Sequence, residues 1–127
     1  MQEFTVKSET IGFIEVLKSK FTAFVFNTSN VDDFKIRLEE IRKANPKAKH
    51  IVYAYRIGVN SKSTDDKEPK GTAGRPLLEL LIKKNLNNTV IIVVRYYGGS
   101  QLGAGRLLRT YVSSAVEAIN KAELVEL

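Results

Sequence analysis

Two polar segments hold most of the side chains that could do chemistry. The first reads Thr64-Asp65-Asp66-Lys67-Glu68-Pro69-Lys70-Gly71-Thr72-Ala73-Gly74-Arg75-Pro76. It passes from an acidic loop into an apolar stretch that Pro76 can open as a helix, because the N–H that proline lacks is unused there. A helix start offers unpaired N–H groups and the positive end of the dipole. Gly71 and Gly74 tolerate backbone shapes that other residues resist. Arg75 adds a planar fork of donors. Gly71, Thr72, Gly74 and Arg75 could together hold a phosphate or a carboxylate. Asp65, Asp66 and Glu68 could bind a hard cation such as Mg²⁺. The simpler reading, and the favoured one, is that they solvate the loop or pair with Lys67 and Lys70.

The second segment reads Arg95-Tyr96-Tyr97-Gly98-Gly99-Ser100-Gln101-Leu102-Gly103-Ala104-Gly105-Arg106-Leu107-Leu108-Arg109. It follows an apolar run and leads into a long amphipathic stretch. Gly98, Gly99, Gly103 and Gly105 would let a ligand approach the backbone, and Arg95, Arg106 and Arg109 supply positive charge. Tyr96 and Tyr97 could stack on bases. Neighbours on a strand face opposite sides, so one of the two belongs to the core. The segment is not a phosphate-binding Walker loop, because Ala104-Gly105 stands where Lys-Ser/Thr is required. It is not a dinucleotide fingerprint either, because Gly103-Ala104-Gly105-Arg106-Leu107-Leu108 lacks the third glycine.

The remaining chemistry is sparse. The chain has no cysteine and one histidine, which excludes disulfides and thiolate or His-rich metal sites. His50 opens an apolar run with no visible nucleophile beside it, so it reads as structural or as part of a polar site. No catalytic residue, metal or cofactor is assigned.

These segments must be positioned by the elements around them. Residues 13–18 and the aromatic run 21–26 read as strands, with residues 4–8 a ragged first one and Gly12 a break between them. Ser29 or Asn30 can cap a helix from Val31, with Phe34, Leu38 and Ile41 on its apolar stripe. His50–Gly58 reads as a strand and residues 59–71 as a long loop. A second helix from Pro76 buries Leu77, Leu78, Leu81 and Ile82. Thr89–Val94 is apolar throughout and predicts a central strand covered on both faces. The third helix carries Leu108, Tyr111, Val112, Ala115, Val116, Ile119 and Ala122 on one face. This order predicts one α+β domain, a two-layer arrangement of helices on a mixed or antiparallel sheet.

Charge narrows the partner. Residues 42–109 hold 14 Lys/Arg against 4 Asp/Glu, a net of +10, and the rest of the chain nets −4, against +6 overall. A basic middle favours a polyanion, with RNA ahead of other partners. No preference for DNA is inferable. The first residues lack the apolar core of a signal peptide, and no apolar run approaches 18 residues. The expected partners therefore exclude a membrane, and the expected location is the cytoplasm.

The two segments also resemble the IMPACT/YigZ family over nearly the whole chain. Asp65–Pro76 is similar to its Asp-Asp-Gly-Glu-Pro-x-Gly-Thr-Ala-Gly-Lys/Arg-Pro pattern. Arg95-Tyr96-Tyr97-Gly98-Gly99 with Leu102-Gly103-Ala104-Gly105 is similar to its Arg-Tyr-Phe/Tyr-Gly-Gly-x-x-Leu-Gly-x-Gly pattern. Lys18-Ser19-Lys20-Phe21 and Ala48–Tyr55 resemble two shorter elements. Lys67 and Arg106 stand where glycine is usual, Val52 where cysteine is common, and Ile51 where a polar residue sits beside the histidine. The resemblance implies a fold like domain 2 of a small-subunit ribosomal protein, a two-layer sandwich with a mixed sheet and helices on one face. It implies residues 1–127 as one N-terminal-type domain, without the ferredoxin-like domain that follows in typical bacterial relatives. It also implies a link to translation, which eukaryotic members regulate by competing for an activator of a stress kinase. The expected function is RNA or ribosome binding. A translation-factor partner and a Mg²⁺-dependent enzyme acting on a phosphate compound are the alternatives.

Overall fold

The computed structural model describes residues 2–127. The chain runs β1 (Phe4–Val6), β2 (Thr10–Val16), β3 (Ser19–Asn27), α1 (Val31–Ala44), β4 (His50–Ile57), β5 (Asn60–Thr64), α2 (Gly74–Lys83), β6 (Thr89–Tyr96), α3 (Ala104–Lys121) and β7 (Leu124–Glu126). Five strands form one sheet in the order β2-β3-β6-β4-β5, and β1 pairs with β7 in a separate ribbon. The α+β class expected from the sequence holds. Of the mixed or antiparallel sheet that the element order allowed, the antiparallel one is found, since every neighbouring pair in the five-stranded sheet is antiparallel, and the mixed sheet that the resemblance implied is not.

The helices also do not share one face. Side chains alternate across a strand, and β6 is apolar at both sets of positions. Ile91 and Val93 join Phe21, Ala23, Val25, Val52 and Ala54 under α2 and α3. Val90, Ile92 and Val94 join Phe26, Ile51, Tyr53 and Tyr55 under α1. Phe34 of α1 meets the rings of Tyr53 and Tyr55 at centroid distances of 4.9 and 4.8 Å. The outcome is three layers rather than two, because burying one face of β6 would leave the other in water.

A local signal explains the start of α1. Asn30 caps α1 by accepting the Asp33 N–H at 2.8 Å, which fills one of the orphan donors at a helix start. The segment read as a loop after Gly58 contains β5, an edge strand of Asn-Ser-Lys-Ser-Thr. Its side chains are mostly outside the core, so no apolar pattern marked it. The buried side of α3 is turned from the expected stripe: Leu107, Ser114 and Ala118 are buried, while Leu108 is 36% exposed. Periodicity of large apolar residues misses this because small residues face the sheet.

Gly12 is the reason they can. It lies inside β2 rather than breaking it, and a Cβ there would sit 2.4 Å from the Ser114 carbonyl oxygen and 2.5 Å from the Ala118 nitrogen. The same close approach lets the Thr10 hydroxyl donate to the Ala118 carbonyl at 2.7 Å. The substitution Gly12→Ala should therefore push α3 off the sheet. It is expected to cost about 1–3 kcal/mol, read as a lower urea midpoint. An unchanged midpoint would mean that α3 does not depend on this contact.

Candidate functional site

Register builds the site. Arg95, near the end of β6, lies opposite Phe21 of β3 and opposite His50 of β4. Residues directly opposite one another in an antiparallel pair share a face, so all three project toward α2 and α3. The Arg95 guanidinium lies over the Phe21 ring, 5.3 Å from its centroid, and its side chain is only 6% exposed. A charge so buried needs a partner. Glu68 provides it, accepting from Nη1 of Arg95 at 2.9 and 2.7 Å through its two oxygens.

Glu68 holds more than Arg95. The Tyr111 hydroxyl of α3 donates to it, and His50 Nε2 lies 3.3 Å from its Oε1. The other His50 nitrogen, Nδ1, is 2.6 Å from the Asp66 carbonyl oxygen. Burial first, then the hydrogen bond to Glu68 and its charge, push the Tyr111 phenol well above its ordinary value of 10.0. One carboxylate thus ties together β4, β6, α3 and the loop before α2.

The loop is shaped to deliver it. Asp66 and Lys67 take the left-handed conformation, with φ of 43° and 68°. The Asp66 carboxylate accepts the Ile51 N–H at 2.7 Å. Asp65 reaches forward and accepts from the N–H groups of Gly71 at 2.9 Å, Ala73 at 3.2 Å and Gly74 at 2.8 Å.

Several sequence expectations change in consequence. The Mg²⁺ reading of Asp65, Asp66 and Glu68 does not fit, because each carboxylate is committed to different protein donors and the three diverge. The start of α2 is not open to an anion, since Asp65 already occupies its N–H groups. Thr72 is buried and donates to the Pro69 carbonyl oxygen. Arg75 is exposed and pairs with Glu79 at 3.3 Å. Arg95 is not a surface cation. Tyr96 is half-buried on the α1 side, with its hydroxyl on Asn45 Oδ1 at 2.7 Å, so it is the core member of the tyrosine pair.

Other residues do gather. Tyr97 is 46% exposed, with its ring 5.7 Å from the Arg95 Cζ. Gly98 sits where a Cβ would meet the Lys18 carbonyl carbon at 2.2 Å, and its N–H donates to the Ser19 hydroxyl. Gly99 and Gly103 have φ of 96° and 79°. Gly105, Arg106 and Arg109 lie in the first turns of α3, all exposed. A cleft of about 510 Å³ opens between these groups, lined by Lys49, His50, Glu68, Arg95, Tyr97 and the residues Gln101–Ala104. Sequence reasoning missed Ser19, Lys49 and Tyr111. Ser19 and Lys49 lie in the two shorter family-like elements, and Tyr111 had a physical signal, since a tyrosine on a buried helix stripe must find a partner for its hydroxyl.

Breaking the network tests it. Glu68→Gln strips the buried guanidinium of its counter-charge and should cost about 3–5 kcal/mol in urea unfolding. A cost below about 1 kcal/mol, in the range of exposed pairs, would contradict a buried pair. Tyr111→Phe removes one donor to Glu68 and should cost about 1–3 kcal/mol at neutral pH. The phenol is raised in the folded state, so the stability it contributes is complete below pH about 10 and declines as pH rises further. The difference between wild type and Tyr111→Phe should accordingly shrink above that pH. A difference that is constant up to pH about 11 would show that the phenol is not held in its neutral form.

Comparison with known proteins gives the chain its family. The model of the Impact N-terminal domain matches residues 17–119. The chain is 40% identical over 126 residues to the IMPACT family member YvyE of Bacillus subtilis, covering 97% of this chain and 58% of that one. It is 35% identical over 112 residues to the IMPACT family member YigZ of Escherichia coli, covering 84% and 55%. A crystal structure of a hypothetical protein superposes with a TM-score of 0.93 at 29% identity, over 99% of this chain and 64% of that one. The chain therefore spans less than two thirds of the length of these relatives. With its domain model, its sequence relatives and its fold in agreement, the chain belongs to the IMPACT family.

Proposed function

We propose that this domain binds RNA or an RNA surface of the ribosome through the cleft above Glu68, in the cytoplasm and in a role connected with translation. The observation that carries the reading is Tyr97. An aromatic ring, 46% exposed, stands at the rim of a cleft whose lining includes the exposed Lys49. A stacking platform beside fixed positive charge suits single-stranded nucleic acid. Exposed Arg106 and Arg109 extend the positive charge along α3, and the basic middle of the chain points the same way. Departures from the family pattern add to it, since Lys67 and Arg106 both place a cation where glycine is usual.

The test is a fluorescence anisotropy titration of single-stranded RNA, duplex RNA and ribosomal subunits across a salt series. Binding should be saturable and should weaken as salt rises. Lys49→Ala and Arg106→Ala should each flatten the salt dependence by about 0.7 in slope for a single strand. Tyr97→Ala should cost about 1–3 kcal/mol with little change in slope. Weak binding that ignores the ligand, or salt slopes unmoved by both cation variants, would overturn the reading. Capture of a translation factor that survives nuclease treatment would then favour a protein partner on the same face.

A further inference from the structure

We infer that β5 is a docking edge for an extended peptide, which adds to the sheet as a further strand and carries an acid between two apolar residues. The inference is independent of the RNA reading, because no residue of β5 lines the cleft. It starts from a difference between the two edges of the five-stranded sheet. Free N–H and C=O groups along an edge invite another strand, and proteins usually block them. On β2 they are blocked by α3: Lys121 Nζ donates to the Ile11 carbonyl at 2.9 Å, and the Phe13 N–H points to Glu117 Oε1 at 3.5 Å. On β5 they are not. The two-residue turn Gly58-Val59 joins β4 to β5, with Gly58 at φ of 62°. In such a hairpin the pair that flanks the turn, here Ile57 and Asn60, is hydrogen-bonded, and bonded pairs alternate from there. Lys62 and Thr64 therefore bond to β4, and Ser61 and Ser63 turn their N–H and C=O groups outward. Among the described residues no group hydrogen-bonds to that outer side of either serine.

The side chains around the edge select the partner. Register sets Ser61 and Ser63 opposite Arg56 and Ala54, and Lys62 opposite Tyr55. Ala54 belongs to the core under α2 and α3, and Tyr55 to the core under α1. The two serines therefore lie on the α2 side and Lys62 on the α1 side. Below the serines, α2 extends an apolar flank toward this edge. Gly74 at its start touches β5, since a Cβ there would lie 2.3 Å from the Thr64 carbonyl oxygen. Leu78 and Ile82 follow four and eight residues later on the same stripe. That stripe faces away from the groove that Arg75, Glu79 and Lys83 line against α3. Leu78 is half-buried and Ile82 is exposed. Residues of an added strand beside Ser61 and Ser63 would rest on Leu78 and Ile82, and the residue between them would meet Lys62. Charge complementarity makes that middle residue an acid. From Arg56 to Thr64 the hairpin holds two cations and no acid. Arg56 is met by Glu3 at 2.8 Å, and Lys62 stands exposed. The same lysine disfavours a second copy of this chain. Two-fold antiparallel pairing across all of β5 would set Lys62 against its own copy, and like charges directly opposite one another are destabilising.

The experiment is an amide-resolved NMR titration of the chain with two end-capped peptides, Ser-Thr-Val-Glu-Val-Thr-Ser and its counterpart with lysine in place of glutamate. Single-stranded RNA is the third ligand. The glutamate peptide should shift the amides of Ser61 and Ser63 saturably and slow their exchange with solvent. The lysine peptide should bind at least tenfold more weakly, and Lys62→Glu should reverse that preference. Ser61→Pro removes an outward N–H at an edge position, where proline is tolerated, and should cost at least tenfold in peptide affinity. Ile82→Lys should do the same by removing the apolar flank. It alters only an exposed side chain, so it carries the test if Ser61→Pro does not fold. The proposal is overturned by the absence of saturable shifts at millimolar peptide, or by equal binding of both peptides to the parent chain and to Lys62→Glu. Shifts at Ser61 and Ser63 that RNA alone produces would assign the edge to a nucleic acid instead. Shifts there that grow with protein concentration, without peptide, would assign it to a second copy, and either result would also overturn the proposal.

Discussion

The buried pair of Glu68 and Arg95 is the constraint on which the arrangement of the cleft depends. Arg95 stands near the end of the central strand, where its side chain lies between the rings of Phe21 and Tyr97. A guanidinium in that position is tolerable only when its charge is met. Glu68 is its counter-ion, and the same carboxylate is held by Tyr111 and lies against His50. Removing one member would leave the others unsatisfied in a low-dielectric interior, where unpaired polar groups are expensive. The loop that carries Glu68 is therefore tied to β6 through Arg95 and to α3 through Tyr111.

The two glycine-bearing segments divide the work. In the first, Asp65 turns inward onto the N–H groups of Gly71, Ala73 and Gly74, and the segment becomes a self-satisfied scaffold. In the second, no equivalent acid is present among the described residues, and the start of α3 opens on the cleft. Two sequences that look alike, glycines and an arginine at a helix start, thus reach opposite ends. The difference is one carboxylate, placed by a tight turn at Asp66 and Lys67. That turn also explains a family glycine: the position of Lys67 has φ of 68°, which costs an L-residue about 1–2 kcal/mol and glycine nothing. The lysine is kept there at some strain and adds exposed charge next to Glu68.

The apolar departures near His50 have a plain structural account. Val52 is fully buried under α2 and α3, and Ile51 is buried on the α1 side. Neither faces solvent, so neither adds reactive chemistry beside His50. What polar function remains at Ile51 is its N–H, which the Asp66 carboxylate takes.

Much of the fold was legible in the residues. The aromatic and β-branched run of β3, the strand of β4, the uniform apolarity of β6 and the stripe of α1 were readable there, whereas α2 is turned from its expected face, with Leu80 buried and Ile82 53% exposed. The doubly covered central strand was readable too, although its consequence, a helix on each face, runs against the one-face arrangement that family resemblance implied. Gly12 and β5 were not legible. A glycine that admits a helix looks like one that breaks a strand, and an edge strand of polar residues looks like a loop. The segments that form the cleft were also visible, as unusual clusters of glycine, arginine, tyrosine and acid. Their roles were not. Whether a carboxylate binds a metal, solvates a loop or caps a helix depends on which N–H groups or cations come within about 3 Å of it. Strand register decides that for Arg95 and His50, and a left-handed turn decides it for Asp65 and Glu68. Composition and spacing determined which chemistry was present in this protein. Only the tertiary structure decided which groups neutralise one another and which are left facing the cleft, because hydrogen bonds and charge pairs act over a few ångströms between residues far apart in the chain.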